Sequence, residues 1–465
     1  MMGFIDSPRF DKLRGFYMGN IYPAIVAAMV LIGNVTGLEY YINLIHTVLI
    51  LGAFVFCPSI KPIIISLCTY VFQISLKNSP CHPNYSDFYL TGWRLPVSVI
   101  IISLTALGFV FFFVKNKIYT RLTPKKTPLF IELCLLSFAF LINGAFSGKW
   151  VLGDVIFGFV NICVYFFLFL IVYHGLEGDG YEDLVSYLCY LALLIALVLI
   201  GEMGYLFISS DNIFVDGAID KESVLLGWGI WNLIGVSLSV LIPLLILGVQ
   251  RNKFPWLYFA VATLIFITAV LTMSRNALVF ATLAYCFSVL ISCFVGRFKL
   301  VFRIITAIGI LIIVGFAVLF WDKIYSLLGD YFERGFSDNG RYNLWMLAFE
   351  NLKSSPIFGN GFYGFDVETA VFGPLPKQAH NTLFQLLSAT GVVGFVAYFY
   401  YRAKTLLPFV RRPSMVKTYL GMSILVLLFG SLLDNFIFNV YPMFLYIVTL
   451  AVVYKEQGEP TAEKE

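Results

Sequence analysis

Apolar runs long enough to cross a bilayer recur along this chain, and they leave room for few architectures. A hydrocarbon core about 30 Å thick takes roughly 20 apolar residues per helix. Such runs lie at 20–38, 41–57, 62–75, 96–114, 129–147, 151–173, 184–209, 225–249, 254–273, 276–295, 301–321, 381–401, 418–434 and 436–454. The second, third and thirteenth are short, so about 12–14 spans are expected. Only 12% of the residues are charged and mean hydropathy is +0.86, against about 25% charged in a soluble domain. Lipid offers the backbone no hydrogen bonds, so each span must be a helix that satisfies itself. The expected fold is therefore all-α, a polytopic integral membrane helical bundle in which residues 1–465 form one membrane domain. The opening "MMGFIDSPRFDKLRGFY" is polar and basic, and no cleavable signal is expected there.

Charge sets the expected orientation. With a cytoplasmic N-terminus, the connections "KNKIYTRLTPKK", "QRNK", "GRFKLVFR" and "RAKTLLPFVRRPSMVK" fall inside, with about two thirds of the 31 Lys and Arg. The reverse orientation would put the densest basic loops outside. Both termini are then cytoplasmic. The outer face carries loops at 76–95 and 209–223 and a long one at 322–380. Within the long loop, Leu344, Trp345, Ala348, Phe349 and Leu352 form one apolar stripe, the mark of an amphipathic helix. Ser337, Asp338 or Asn339 could cap it, and Pro356, Gly359 and Gly361 end it. This helix would lie on the membrane surface or against the bundle.

Seven of the eight cysteines sit in apolar runs, and Cys81 has no loop partner, so neither a disulfide framework nor a zinc site is expected. No GxxxxGK[ST], HExxH, GxSxG or acidic cluster is present, so no metal, cofactor or nucleotide chemistry is expected. The net charge of +4 is small, and no nucleic-acid partner is expected.

Charged groups beside apolar spans are costly and raise functional questions. Arg275, in "LTMSRNALVF", interrupts the apolar stretch 254–295 at an outer hinge. A guanidinium there would suit an anionic ligand, with two parallel N–H bonds to phosphate oxygens. Arg341 opens the loop helix, where the dipole disfavours a cation unless an anion shares the site. On its own it reads equally as a solvated arginine. His380 lies just before the span 381–401, and a neutral imidazole can accept a hydroxyl proton at neutral pH. A lone boundary histidine is more often structural, but all three residues map to one face. Glu202, Asp434 and Asp154 are weaker exceptions, the first two as buried partners of cations. His46 and His174 have no nearby constellation.

Four segments resemble the bacterial O-antigen ligase and O-antigen polymerase superfamily: "GWGIWNLIGVSLSVLIPLL", "LTMSRNAL", "GRYNLWMLAFENLKSSPIFGNGFYGF" and "AHNTLFQLLSATGVVGF". They occur in the family's order and cover roughly 225–400. The resemblance implies a metal-independent glycosyltransferase of the bacterial cytoplasmic membrane with an outward-facing site. Its donor would be a polyprenyl-diphosphate-linked oligosaccharide, and its acceptor a sugar hydroxyl of a lipid-linked glycan. Arg275 and Arg341 match the arginines implicated in binding the diphosphate, and His380 the histidine implicated in activating the acceptor. Supporting contacts are expected from Trp231, Asn232, Tyr342, Lys377, Asn381 and Gln385. Membrane lipids are partners, and a chain-length regulator is a further candidate. The long chain and many spans tilt the reading to a polymerase. The alternative is an O-antigen ligase acting on a lipid-A-core or other acceptor. A flippase would need internal repeats around a midplane cavity, and no repeat is visible.

Overall fold

The computed structural model describes residues 7–74, 92–148, 150–209, 213–215, 218–220, 223–226, 229–322, 325, 341–364, 367–370, 373–376, 379–438 and 440–458. Every apolar run expected from the sequence is a helix. After a lead-in helix, Asp11–Met18, come α1 (Ile21–Thr36), α2 (Glu39–Phe56), α3 (Lys61–Ile74) and α4 (Arg94–Lys115). Next are α5 (Phe130–Leu141), α6 (Leu152–Gly175), α7 (Tyr181–Ser209), α8 (Trp231–Arg251) and α9 (Pro255–Leu271). The remainder are α10 (Arg275–Ser292), α11 (Lys299–Leu319), α12 (Arg341–Ser354), α13 (Thr382–Arg411), α14 (Met415–Gly430) and α15 (Val440–Gly458). Among the described residues, eight helices are individually long and apolar enough to cross a membrane, or up to nine with the bent pair Pro8–Met18 and Ile21–Thr36. Other runs give shorter apolar helices, α5, α9 and α14 among them, because turns shorten them at each end. Among the described residues, strands are confined to two-residue hairpins at Phe214–Ile219 and Leu225–Ile230 and a four-residue pair, Val367–Ala370 with Gly373–Pro376.

The helix α8 is the axis of the bundle. Nearly all its residues are buried, and it packs against α7, α9, α10 and α14. The contact with α10 is close: a Cβ on Gly235 would lie 2.2 Å from that of Ala277. The sequence places the start of this span at 225, but 225–230 form a hairpin and the helix begins at Trp231. The loop 76–95 lies largely outside the described residues, as do the caps Ser337, Asp338 and Asn339. At the far end of α13 the helix runs on to Arg411, ten residues past the expected boundary. That extension draws Arg402 out of the expected basic loop and into the bundle. Its guanidinium lies 4.7 Å from the ring centroids of Tyr398 and Tyr446, with Tyr401 and Tyr165 at 5.2 and 5.8 Å. Ring quadrupoles replace part of the hydration that burial removes.

The backbone of α13 breaks at Gly391, where φ is +63° and ψ is −161°. A side chain tolerates that conformation poorly, and a break inside a span frees backbone groups that lipid cannot satisfy. The segment after α12 satisfies them. Asn360 and Gly361 donate their N–H groups to the carbonyls of Ser388 and Ala389, at 2.8 and 3.0 Å. In return Val392 and Val393 donate to the carbonyls of Pro356 and Ile357, at 2.9 and 3.1 Å. The same segment is pinned from its other side. The amide of Tyr363 donates to Asp154 Oδ1 at 2.8 Å, Phe362 donates to Asn143 Oδ1 at 3.3 Å, and Gly144 donates to the carbonyl of Phe358 at 3.1 Å.

Gly359 carries the interlock, with φ at +68° and an imagined Cβ 2.4 Å from the carbonyl carbon of Ala389. Gly359→Ala should destabilise the purified protein by about 1–3 kcal/mol and lower its thermal unfolding midpoint. Gly315→Ala, in a position with nothing within 4 Å, serves as the control. An unchanged midpoint for Gly359→Ala would remove the interlock from the account of stability.

Candidate active site

His380 sits one residue before the cap of α13 with φ at +50°, a left-handed conformation unusual for a residue with a side chain. Its neighbours hold it there. The Ala379 amide donates to Gln385 Oε1 at 2.7 Å, and the Ala379 carbonyl accepts from Trp345 Nε1 at 3.2 Å. Asn381 caps α13, its Oδ1 accepting from the amides of Leu383 and Phe384 at 2.9 and 3.3 Å. Its Nδ2 donates to the carbonyl of Leu432 at 2.7 Å, while the Thr382 amide donates to that of Ser431 at 3.0 Å. Asn435 Nδ2 reaches Gln385 Oε1 at 3.1 Å. Asn381 and Gln385 thus clasp the start of α13 to the turn 431–435.

That turn supplies the partner of the histidine. His380 Nδ1 lies 3.0 Å from Asp434 Oδ1, with the His380 side chain 44% exposed and that of Asp434 only 10%. A carboxylate can only accept, so a neutral ring donates Nδ1–H to it. The second nitrogen, Nε2, then keeps its lone pair as the basic atom of the ring. Asp434 Oδ1 also accepts from the Asn435 amide at 2.8 Å, which fixes the carboxylate. The sequence shows Asp434 as an acid in an apolar stretch but gives no sign that His380 is its partner.

Arg275 is the first residue of α10 and is exposed. Ser274 caps this helix: its hydroxyl accepts from the Ala277 amide at 3.3 Å and donates to Asn232 Oδ1 at 2.7 Å. Asn232 therefore fixes the turn that presents Arg275, from the first residues of α8. Trp231 beside it is half-buried against the core. An arginine at a helix start adds its charge to that of the helix dipole, a combination suited to an anion.

Arg341 opens α12, which docks on the start of α13. Trp345 stacks on Phe384 with centroids 5.2 Å apart, Phe349 meets the same ring edge-on at 5.3 Å, and Ala348 packs on Ala379. The expected apolar stripe therefore faces the bundle. Arg341, half-buried, lies one turn before Trp345, about 6 Å along the axis. Tyr342 is exposed on the same helix. Lys377 lies outside the described residues.

An apolar groove of about 620 Å³ runs between α10 and α14 and reaches the same end of the bundle. Phe280, Leu283 and Phe287 form one wall, and Leu425, Phe429 and Leu433 the other. Phe280 is five residues beyond Arg275, and Leu433 immediately precedes Asp434. The groove thus ends between the arginine-bearing helix start and the turn that holds the histidine.

These helices make the chain a multi-pass membrane protein. Residues 259–399 match the family model described as O-antigen ligase, a stretch that carries Arg275, Arg341 and His380 but stops short of Asp434. Over that stretch, under a third of the chain, the protein is similar to the O-antigen ligase and polymerase superfamily. No curated protein and no solved structure matches it.

If Asp434 orients and charges the base, Asp434→Asn should lower glycan transfer by roughly 10- to 10²-fold, less than the 10²–10⁴-fold loss expected in His380→Ala. Both are measured as initial rates on purified, monodisperse protein. A wild-type rate in Asp434→Asn would leave the carboxylate a packing role only.

Proposed function

We propose that this protein is a polysaccharide polymerase of the outer face of the cytoplasmic membrane, which transfers a polyprenyl-diphosphate-linked glycan onto a sugar hydroxyl of a lipid-linked repeat unit. The observation that carries this reading is the His380–Asp434 pair at the end of an apolar groove whose other wall leads to Arg275. The substrate it suits has a long apolar tail, an anionic linkage and a hydroxyl partner. The groove takes the polyprenyl chain, and Arg275 with Arg341 holds the diphosphate.

In the proposed step, His380 Nε2 takes the proton of the acceptor hydroxyl as its oxygen attacks the anomeric carbon. The bond from that carbon to the diphosphate breaks, and the diphosphate leaves with the electron pair. Negative charge grows on the leaving group, so arginines aimed there act on the transition state more than on the ground state. Attack from the face opposite the diphosphate inverts the anomeric centre. No residue in this scheme calls for a metal, and the rate should be unchanged by a chelator.

The outward orientation is supported by charge at the other end of the bundle. Lys115 donates to the carbonyls of Val55 and Cys57, Arg121 pairs with Glu177, and Arg251 pairs with Glu182, all at the ends of helices opposite His380. Basic residues favour the cytoplasmic side. A ligase is the second reading, favoured by the description of the matching family model.

Purified protein incubated with lipid-linked repeat units alone should yield a ladder of products. A single product formed only when a lipid-core acceptor is added would make it a ligase. Arg275→Ala and Arg341→Ala should each lower the rate by about 10²–10³-fold. Absence of transfer to either acceptor by well-folded wild-type protein would sink both readings.

A further inference from the structure

The end of the bundle opposite His380 holds a second cavity, of about 600 Å³, and it is polar. Three cations line it: Arg121 and Lys126 from the connection between α4 and α5, and Lys455 from the last turn of α15. Two carboxylates face them, Glu177 and Asp179, from the turn between α6 and α7. Nothing in the proposed transfer reaction uses any of these residues.

The charges are arranged rather than scattered. Glu177 is taken up by an ion pair with Arg121, and Asp179 Oδ2 accepts from the Ser59 hydroxyl at 2.6 Å. The Lys455 ammonium lies 4.6 Å over the ring centroid of Tyr173, which leaves it at the cavity wall. Lys126 is exposed and, among the described residues, has no ion-pair partner. Thr127 donates its hydroxyl to the Arg121 carbonyl at 3.1 Å, so His174 Nε2, 2.9 Å from that hydroxyl oxygen, is the donor and is engaged away from the cavity's cations. Counting the lysine, arginine and carboxylate side chains of the lining, three cations against two carboxylates leave a single positive charge.

A cavity with one excess positive charge, set where helices end and backed by apolar spans, fits a monoanion that arrives from the lipid. We propose that this cavity binds the phosphodiester headgroup of an anionic phospholipid, with Lys126 and Lys455 as its phosphate contacts. A phosphodiester carries one negative charge, whereas free phosphate near neutral pH is a mixture of mono- and dianion. Basic pockets between helix ends are the common form of headgroup site. Bound there, a lipid would bridge the α4–α5 connection, the α6–α7 turn and α15, three elements with no covalent link nearby.

The test is native mass spectrometry of the full-length protein in a neutral detergent. Three probes are titrated separately: dioctanoyl phosphatidylglycerol, dioctanoyl phosphatidylcholine and inorganic phosphate. Wild-type protein should take up one phosphatidylglycerol saturably, with the zwitterionic lipid far weaker. Lys126→Gln should weaken that binding about fivefold, and Lys126→Gln with Lys455→Met more than tenfold. Lys126 is a surface residue, so the single variant keeps the test valid if the double one elutes as aggregate. His380→Ala should bind as wild type does. Equal affinity in wild type and Lys126→Glu would overturn the site. Displacement of the lipid by equimolar inorganic phosphate would overturn the phospholipid assignment in favour of a free anion.

Discussion

A backbone hydrogen-bond debt inside a membrane span governs the rest of this structure. α13 cannot continue as a helix through Gly391, and the amides and carbonyls it frees have no water to turn to. The segment 356–361 provides four partners and so becomes part of the bundle. Its placement decides where α12 lies, because α12 leads directly into it. It also decides how the start of α13 is presented, and with it Ala379, His380 and Asn381. Asp154 from α6 and Asn143 from the turn after α5 complete the arrangement, anchoring the amides of Tyr363 and Phe362 just beyond that segment at 2.8 and 3.3 Å. A carboxylate near the start of an apolar helix is costly on its own, and here backbone donors compensate it.

The two ends of the bundle then acquire different chemistry. At one end lie a histidine in a left-handed conformation, its carboxylate and the helix starts that carry Arg275 and Arg341, and an apolar groove reaches that end. Two of them are placed by polar side chains at their own helix starts, which bond to a neighbouring element: Asn381 and Gln385 for His380, Ser274 with Asn232 for Arg275. At the other end, cations are mostly matched by carboxylates or carbonyls, and Arg402 is enclosed by tyrosine rings.

Much of this was legible in the chain. Each apolar run is a helix, since hydropathy reports directly on what lipid tolerates. Arg275, Arg341 and His380 stood out because charge beside apolar residues is rare, and the structure gathers their helix starts at one end. Other features were hidden because they depend on pairing between distant residues. Gly391 sits in "SATGVVG", a sequence that reads as ordinary span until 356–361 is laid beside it. Asp434 looked like a partner for some cation, and only the turn 431–435 shows that the partner is His380. Asn381 and Gln385 read either as orienters of the histidine or as contacts to the acceptor, and their side chains are occupied in clasping the residues on each side of it to the turn 431–435. The extension of α13 past 401 was masked by the charges of Arg402 and Lys404, which sequence assigns to a loop and tyrosine rings keep in a helix.

The break at Gly391 also bears on how the chain can be assembled and divided. The residues that complete α13 precede it by some thirty positions, so the second half of that helix and the loop before it must come together in one step. A span inserted into the membrane alone would carry unpaired amides at Val392 and Val393. The polypeptide is therefore poorly suited to being split anywhere between α12 and α13. A division before α12 would keep both sides of this exchange, 356–361 and 388–393, on one piece.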